Sequence, residues 1–176
     1  MSIKKTANLL LNFTYQKLVE IFGIITFSAG VLLFISLISY SPEDPNFIFH
    51  ANTEIKNILG FRGSFVSDLF FQSFGLTSYL LSITFIITGI NIFRKKEFFL
   101  IIENTFFAIL YTIFATLFMS YFYPDTFTLY INGNGGFVGF ALNETFLNSA
   151  IKINELIAYY ALIIVTIFLF TISINF

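Results

Sequence analysis

The sequence predicts an all-α integral membrane fold: four transmembrane helices arranged as two hairpins, with short amphipathic helices in both outward-facing loops. Three observations predict it. Of the 176 residues, 57% are hydrophobic and only 11% charged, too little charge to solvate the surface of a soluble domain of this size. Four apolar stretches are each long enough to cross a bilayer core of about 30 Å as a helix. The prolines, glycines and acids gather between those stretches, above all from Ser39 to Gly75.

Residues 1–20 mix Lys4, Lys5 and Lys17 with Leu9, Leu10, Phe13, Leu18 and Val19. Their apolar positions partly share one helical face, so a short cytoplasmic, interfacial helix is expected there. The apolar run that follows is longer than a signal-peptide core and lacks an Ala-x-Ala cleavage pattern, so it is read as an uncleaved first span. The membrane domain is then residues 21–176, with spans at about 21–40, 76–93, 99–123 and 156–174. Glu103, near the start of span three, still reaches the interface.

Charge sets the orientation. Lys4, Lys5 and Lys17 precede span one, and Arg94, Lys95 and Lys96 fill the tight turn between spans two and three. The other two loops hold Lys56, Arg62 and Lys152 among a larger number of acids. Lys and Arg gather on cytoplasmic sides, so both termini are expected inside and the two long loops outside. Tyr40, Tyr121, Tyr123, Tyr159 and Tyr160 fall near span ends, where interfacial aromatics sit.

The two outside loops resemble each other. Each opens on Ser-Tyr (Ser39-Tyr40, Ser120-Tyr121), soon meets a proline and an acid (Pro42-Glu43-Asp44, Pro124-Asp125), and then shows Gly-x-x-Gly (Gly60 to Gly63, Gly136 to Gly139). Beyond the second glycine, Asp68 and Phe70 fall in register with Glu144 and Phe146. The expectation is a glycine-permitted turn that starts a membrane-surface helix in each loop.

No ionisable group lies in the middle of any span, where such groups are costly and usually functional. The polar residues there are hydroxyls such as Thr26, Ser36, Thr84, Thr88 and Thr116, expected to satisfy themselves or to bridge helices. Small residues recur at packing intervals: Gly23 and Gly30, Gly75, Ser78, Ser82 and Gly89, then Ala108 and Thr112. Such faces let helix backbones approach. They are read as intramolecular packing, with contact to a second copy as the sharper alternative.

Little points to catalysis. A net charge of −1 offers no basic stripe for nucleic acid, and the absence of cysteine excludes disulfides, iron–sulfur clusters and cysteine-based zinc sites. Gly133 to Gly139 lacks the spacing and the preceding strand of a dinucleotide loop and reads as a turn. His50 stands alone and is read as an exposed loop residue. Glu43, Asp44, Glu54 and Asp68 are read as a solvated acidic loop. No catalytic, cofactor or metal site is expected. A small transporter or channel subunit is the alternative from a different class; it predicts intramembrane charge or a polar stripe along one helix, and neither is evident.

The loop residues go further. Ser39-Tyr40-Ser41-Pro42-Glu43-Asp44-Pro45, then Asn57, Gly60, Gly63, Asp68 and Phe74-Gly75, resemble the N-terminal four-span domain of the FtsK/SpoIIIE family of DNA translocases. Gly135-Gly136-Phe137-Val138-Gly139 resembles that domain's Gly-Gly-x-x-Gly segment. The likeness covers roughly residues 15–175. It implies a membrane anchor that contributes to divisome assembly at the septum of the bacterial inner membrane, with a hexameric motor elsewhere that uses ATP and magnesium to pump DNA. The residues expected to shape or contact are Tyr40, Pro42, Asp44, Gly60, Gly63, Asp68, Gly136 and Gly139, with Asp68 foremost for a specific polar contact. No position here matches the motor's ATPase residues. The sequence ends at Phe176, so the expectation is a fragment or a split-gene product that neither hydrolyses ATP nor moves or binds DNA by itself, and whose partners are the bilayer, divisome membrane proteins and other copies of itself.

Overall fold

A computed structural model describes residues 3–45, 54–124 and 132–175. Seven α-helices follow in order among them: α1 (Ile3–Ile38), α2 (Gly60–Phe74), α3 (Ser78–Lys95), α4 (Leu100–Phe122), α5 (Gly136–Asn143), α6 (Phe146–Ile153) and α7 (Glu155–Ser173). A 3-10 turn, Gly75–Thr77, joins α2 to α3. Four helical segments are long and apolar enough to cross a membrane: Asn8–Ile38, Gly60–Lys95, Leu100–Phe122 and Glu155–Ser173. The protein is a multi-pass membrane protein. Helix α1 lies against α3 and α4 against α7, giving two hairpins; α2 packs on α1, and α5 on α4.

The N-terminal segment departs from expectation. In place of a separate short helix over residues 1–20, one unbroken α1 of 36 residues runs through to Ile38. At about 1.5 Å per residue it is about 54 Å long, well beyond the bilayer core. The physical reason is the lack of a stop: no proline or glycine precedes Gly23, and a break would strand backbone N–H and C=O groups without caps. Glu20 ties this helix to the turn after α3, accepting from Lys17 at 2.7 Å and from Lys96 at 2.9 Å.

Helices α1 and α3 meet backbone to backbone. A Cβ added at Gly89 would lie 2.3 Å from the Phe27 nitrogen, one at Gly23 would lie 2.8 Å from the Phe93 nitrogen, and one at Gly30 would lie 2.6 Å from the Ile86 nitrogen. Gly23 and Gly30 of span one and Gly89 of span two thus lie at this contact. Lipid tails are as apolar as leucine, so such close van der Waals contact, rather than escape from water, holds the pair. Val19, Ile92 and Leu100 close a small core below it; Leu33, Leu37 and Phe71 form a second one toward the loops.

Helices α4 and α7 meet through rings. Tyr111 and Phe170 pack edge to face at 5.5 Å, and Tyr159 packs on Phe118 at 5.2 Å and on Phe122 at 5.1 Å. Such aromatic pairs each add about 0.5–1.5 kcal/mol beyond their burial. Tyr123 and Tyr159 hydroxyls share a hydrogen bond of 2.9 Å, and Tyr121 donates to Glu155 Oε1 at 2.8 Å. Buried polar groups join the two hairpins, Thr84 Oγ1 and the Tyr111 hydroxyl at 2.9 Å and Asn104 Nδ2 to Thr88 Oγ1 at 2.9 Å, as does the half-buried Asn91, whose Nδ2 donates to the Ile174 carbonyl at 3.0 Å. Other hydroxyls bond back to their own helix: Thr26 to Phe22, Thr112 to Ala108, and Thr116 to Thr112.

Candidate functional site: the loop-side platform

The two loops form one platform on the same side of the hairpins. In the first loop, Ser41-Pro42-Glu43-Asp44 is a β-turn closed by Asp44 N–H to the Ser41 carbonyl at 3.2 Å. Proline at its second position presets the required φ. The turn aims Asp44 inward. Its Oδ1 accepts from Lys56 N–H and its Oδ2 from Asn57 N–H, both at 2.8 Å. Asp44 is 3% exposed and Asp68 is 6% exposed, so these two acids are not the solvated groups expected from composition. The backbone N–H donors and a tyrosine offset the cost of burying them.

Asn57 is the second half of this latch. Its Nδ2 donates to the carbonyls of Ser36 at 2.9 Å and Ser39 at 3.3 Å, and its Oδ1 accepts from Leu59 N–H at 3.1 Å. Ser36 Oγ donates to the Gly63 carbonyl at 2.6 Å, and Ser64 Oγ donates to the Pro45 carbonyl at 2.7 Å. Gly63 is required for space: a Cβ there would lie 2.1 Å from Asn57 Oδ1. The Asp68 carboxylate accepts from the Tyr40 hydroxyl at 3.2 Å, while the Tyr40 ring packs on Phe71 at 5.0 Å. Burial, followed by the Asp68 charge, pushes the Tyr40 hydroxyl well above its ordinary value. At the exposed rim Lys56 pairs with Glu43, which lowers the Glu43 carboxyl and raises the Lys56 amine.

The second loop opens the same way. Gly136 N–H bonds to the Gly133 carbonyl at 3.1 Å, as Gly60 N–H bonds to the Asn57 carbonyl at 2.9 Å. Gly60 (φ 66°) and Gly136 (φ 62°) then occupy the left-handed region as the first residues of α2 and α5. Gly139 faces α4, where a Cβ would lie 2.4 Å from the Thr116 carbonyl. Asn134 is 1% exposed and donates from Nδ2 to the Tyr123 carbonyl at 2.8 Å, an amide counterpart of the Asn57 latch.

Beyond these glycines the expected register fails. Asp68 lies buried in the third turn of an unbroken α2, whereas Glu144 is exposed at the C-cap of α5 and Phe146 starts a new helix, 80% exposed. The cause is Thr145. It adopts an extended backbone, accepts from Leu147 N–H at 3.2 Å, and so caps a fresh helix. Asn154 repeats the device, accepting from Ile157 N–H at 3.1 Å to start α7.

The loops also bond to each other. Leu76 N–H donates to the Asn134 carbonyl at 3.0 Å, and Asn132 Nδ2 donates to the Gln72 carbonyl at 3.3 Å. Gly75 (φ 56°) crosses Asn134 and Gly136 so closely that a Cβ would lie 1.9 Å from the Asn134 carbonyl oxygen. Ser78 Oγ donates to the Phe70 carbonyl at 2.9 Å across the 3-10 turn, and Ser82 is buried beneath it. Ala108 and Thr112 lie buried on α4. His50 falls outside the described residues.

Of the residues singled out in the sequence, Tyr40, Pro42, Asp44, Gly60, Gly63 and Asp68 come together in the first latch. Gly136 and Gly139 shape the second loop. Asn57, Ser36, Ser64 and Asn134 were missed as site residues; the available signal was the recurrence of an asparagine beside each glycine turn. No group of three or more metal-ligating side chains occurs among the described residues. The platform offers a shaped and internally tied surface, with Phe61, Leu69, Phe137 and Phe140 exposed on its helices.

A family model described as the 4TM region of DNA translocase FtsK/SpoIIIE matches residues 16–175. The DNA translocase FtsK of Rickettsia prowazekii (strain Madrid E) is 33% identical over 69 residues, which is 39% of this chain and 9% of that protein. That of Rickettsia typhi is 31% identical over 67 residues, 38% of this chain and 9% of that protein. That of Vibrio vulnificus is 32% identical over 84 residues, 47% of this chain and 8% of that protein. The matched stretch thus spans under a tenth of each of these relatives. No solved structure matches this chain. With four spanning helices, two glycine-started loop helices and a family match across residues 16–175, the chain belongs to the 4TM region of the DNA translocase FtsK/SpoIIIE family.

Proposed function

We propose that this chain is the membrane anchor and assembly module of a bacterial DNA translocase that acts in cell division and chromosome segregation. The family match over residues 16–175 carries the reading, because it falls on the four-span region and not on a motor. The module sits in the inner membrane at the division septum, with both termini cytoplasmic and the latched loops outside, as the charge distribution favours. Its own work is contact: with lipid, with divisome membrane proteins and with further copies of itself, six in the family's assembly. ATP, magnesium and DNA belong to the motor region of the family's full-length proteins.

The test is a fluorescent fusion of residues 1–176 in dividing cells, beside reporter fusions at Asn52 and Lys95. The expected result is a septal band and reporters on opposite sides. Uniform membrane fluorescence overturns the septal role, and reporters on one side overturn the topology. Asp68→Ala is expected to insert normally and to weaken the band, since it removes the acceptor of the Tyr40 hydroxyl.

A further inference from the structure

The first hairpin carries a groove that its latch leaves open. It has a volume of about 490 Å³ and lies between α1, α2 and α3, with Leu59 and Arg62 at the loop end and Ala29 and Phe85 at the deep end. Its walls are apolar. The one hydroxyl on them, Ser36 Oγ, is occupied by the Gly63 carbonyl at 2.6 Å. Along α1 the lining runs from Ser36 down to Ala29. At 1.5 Å per residue that is about 10 Å, within the roughly 15 Å depth of one leaflet's hydrocarbon.

Arg62 distinguishes this groove from an ordinary lipid-facing crease. It is exposed in the first turn of α2, and no carboxylate lies in ion-pair range of it among the described residues. Lys56, the other cation of this loop, is already paired with Glu43. The Arg62 stem can lie along the apolar wall while the guanidinium stays at the interface. That planar fork matches a phosphate in bidentate fashion. A slot that fits within one leaflet, apolar along its length and closed at the polar end by an arginine with no carboxylate partner among the described residues, is complementary to one kind of molecule. We propose that this groove binds an anionic phospholipid of the loop-side leaflet, with an acyl chain along the slot between α1 and α2 and the phosphate on Arg62. Charge complementarity favours it over a neutral protein segment, which would leave the guanidinium unmatched.

The test uses the full chain in neutral detergent, with bound lipids counted by native mass spectrometry during titration with phosphatidylglycerol or phosphatidylcholine. Wild type is expected to hold phosphatidylglycerol about tenfold more tightly, because the choline ammonium of phosphatidylcholine offsets the charge of the phosphate that Arg62 would meet. Arg62→Gln is expected to bring the two lipids level, and Arg62→Lys to keep part of the preference. Ala29→Phe, which fills the groove from its exposed side, is expected to weaken both lipids. A phosphatidylglycerol preference unchanged in Arg62→Gln overturns the proposal. So does undiminished binding in Ala29→Phe, or displacement of the lipid by inorganic phosphate alone. Circular dichroism of each variant confirms that helix content is retained, and septal recruitment does not enter any readout.

Discussion

In the α1–α3 hairpin the backbones approach until Gly89 has no room for a methyl group against Phe27, whereas in the α4–α7 hairpin Tyr111, Phe118, Phe122 and Tyr159 fill the space between the helices. The first contact depends on side chains that are absent, the second on side chains that are large. Their loops differ in the same sense. The first is drawn in by a buried carboxylate holding two backbone N–H groups; the second is held by the amide of Asn134. After the shared glycine turn, α2 runs on through a 3-10 turn into α3, while the second loop stops and restarts at Thr145 and Asn154. A common turn sets where a loop helix begins, and later capping residues decide whether it continues. It also locates rigidity: the first hairpin tolerates no added atom at its crossing, while α7 exposes most of its surface.

Added volume should act very differently on the two hairpins. Gly89→Val is expected to cost about 3 kcal/mol or more, since Cβ lands on the Phe27 backbone, where nothing flexible can yield. Ala161→Val on the exposed side of α7 is expected to stay within about 0.5 kcal/mol. Unfolding in a mixed-detergent titration measures both, and equal losses would remove the contrast. Next, Asp44→Ala strands the buried Asn57 N–H and leaves the part-buried Lys56 N–H to water; it is expected to cost about 2 kcal/mol, with Asn134→Ala costing about 1 kcal/mol. Amide exchange at residues 56 and 57 should quicken in the first variant only.

Tyr40→Phe comes third, at about 1.5 kcal/mol for a hydrogen bond to a carboxylate. The sign with pH is set by the upward shift of the Tyr40 hydroxyl from its ordinary 10.0. The protonated ring is favoured in the folded state, so its contribution is whole below pH 10 and is lost as the pH rises beyond it. Thermal melts should therefore fall more steeply on the alkaline side in wild type than in Tyr40→Phe. Last, Thr145→Ala removes the cap of α6 and is expected to cost about 1 kcal/mol. Exchange should rise in α6 and leave α2 untouched, because α2 has no such restart.

The spans were legible because hydrophobic length is a one-dimensional signal: Leu100–Phe122 and Glu155–Ser173 each fall within a residue of the segments expected from hydropathy. The glycine turns were legible too, since Gly60 and Gly136 answer a local backbone requirement. The N-terminal boundary was not, because a polar-apolar mixture looks alike in a surface helix and in an extended α1. The latch was hidden for a different reason. Asp44 and Asn57 are ordinary loop residues in one dimension, and only the fold turns them inward over twelve intervening positions, many of them outside the described residues. Arg62 stood in the sequence as one more loop cation. Its significance depends on Glu43 having already taken Lys56.

The bond from Leu76 N–H to the Asn134 carbonyl has a consequence for biogenesis. The acceptor emerges from the ribosome 58 residues after the donor, and the Gly75 bend is shaped around it. Until the second loop has been delivered to the same side, the junction between α2 and α3 lacks its partner strand of backbone and that N–H must look to water or lipid headgroups. With insertion in chain order, the first hairpin is unfinished at this junction until the second arrives. A nascent chain arrested after α4 should show α1 and α3 protected while Phe74 to Thr77 still exchange freely, with protection arriving only when residues 134–136 cross.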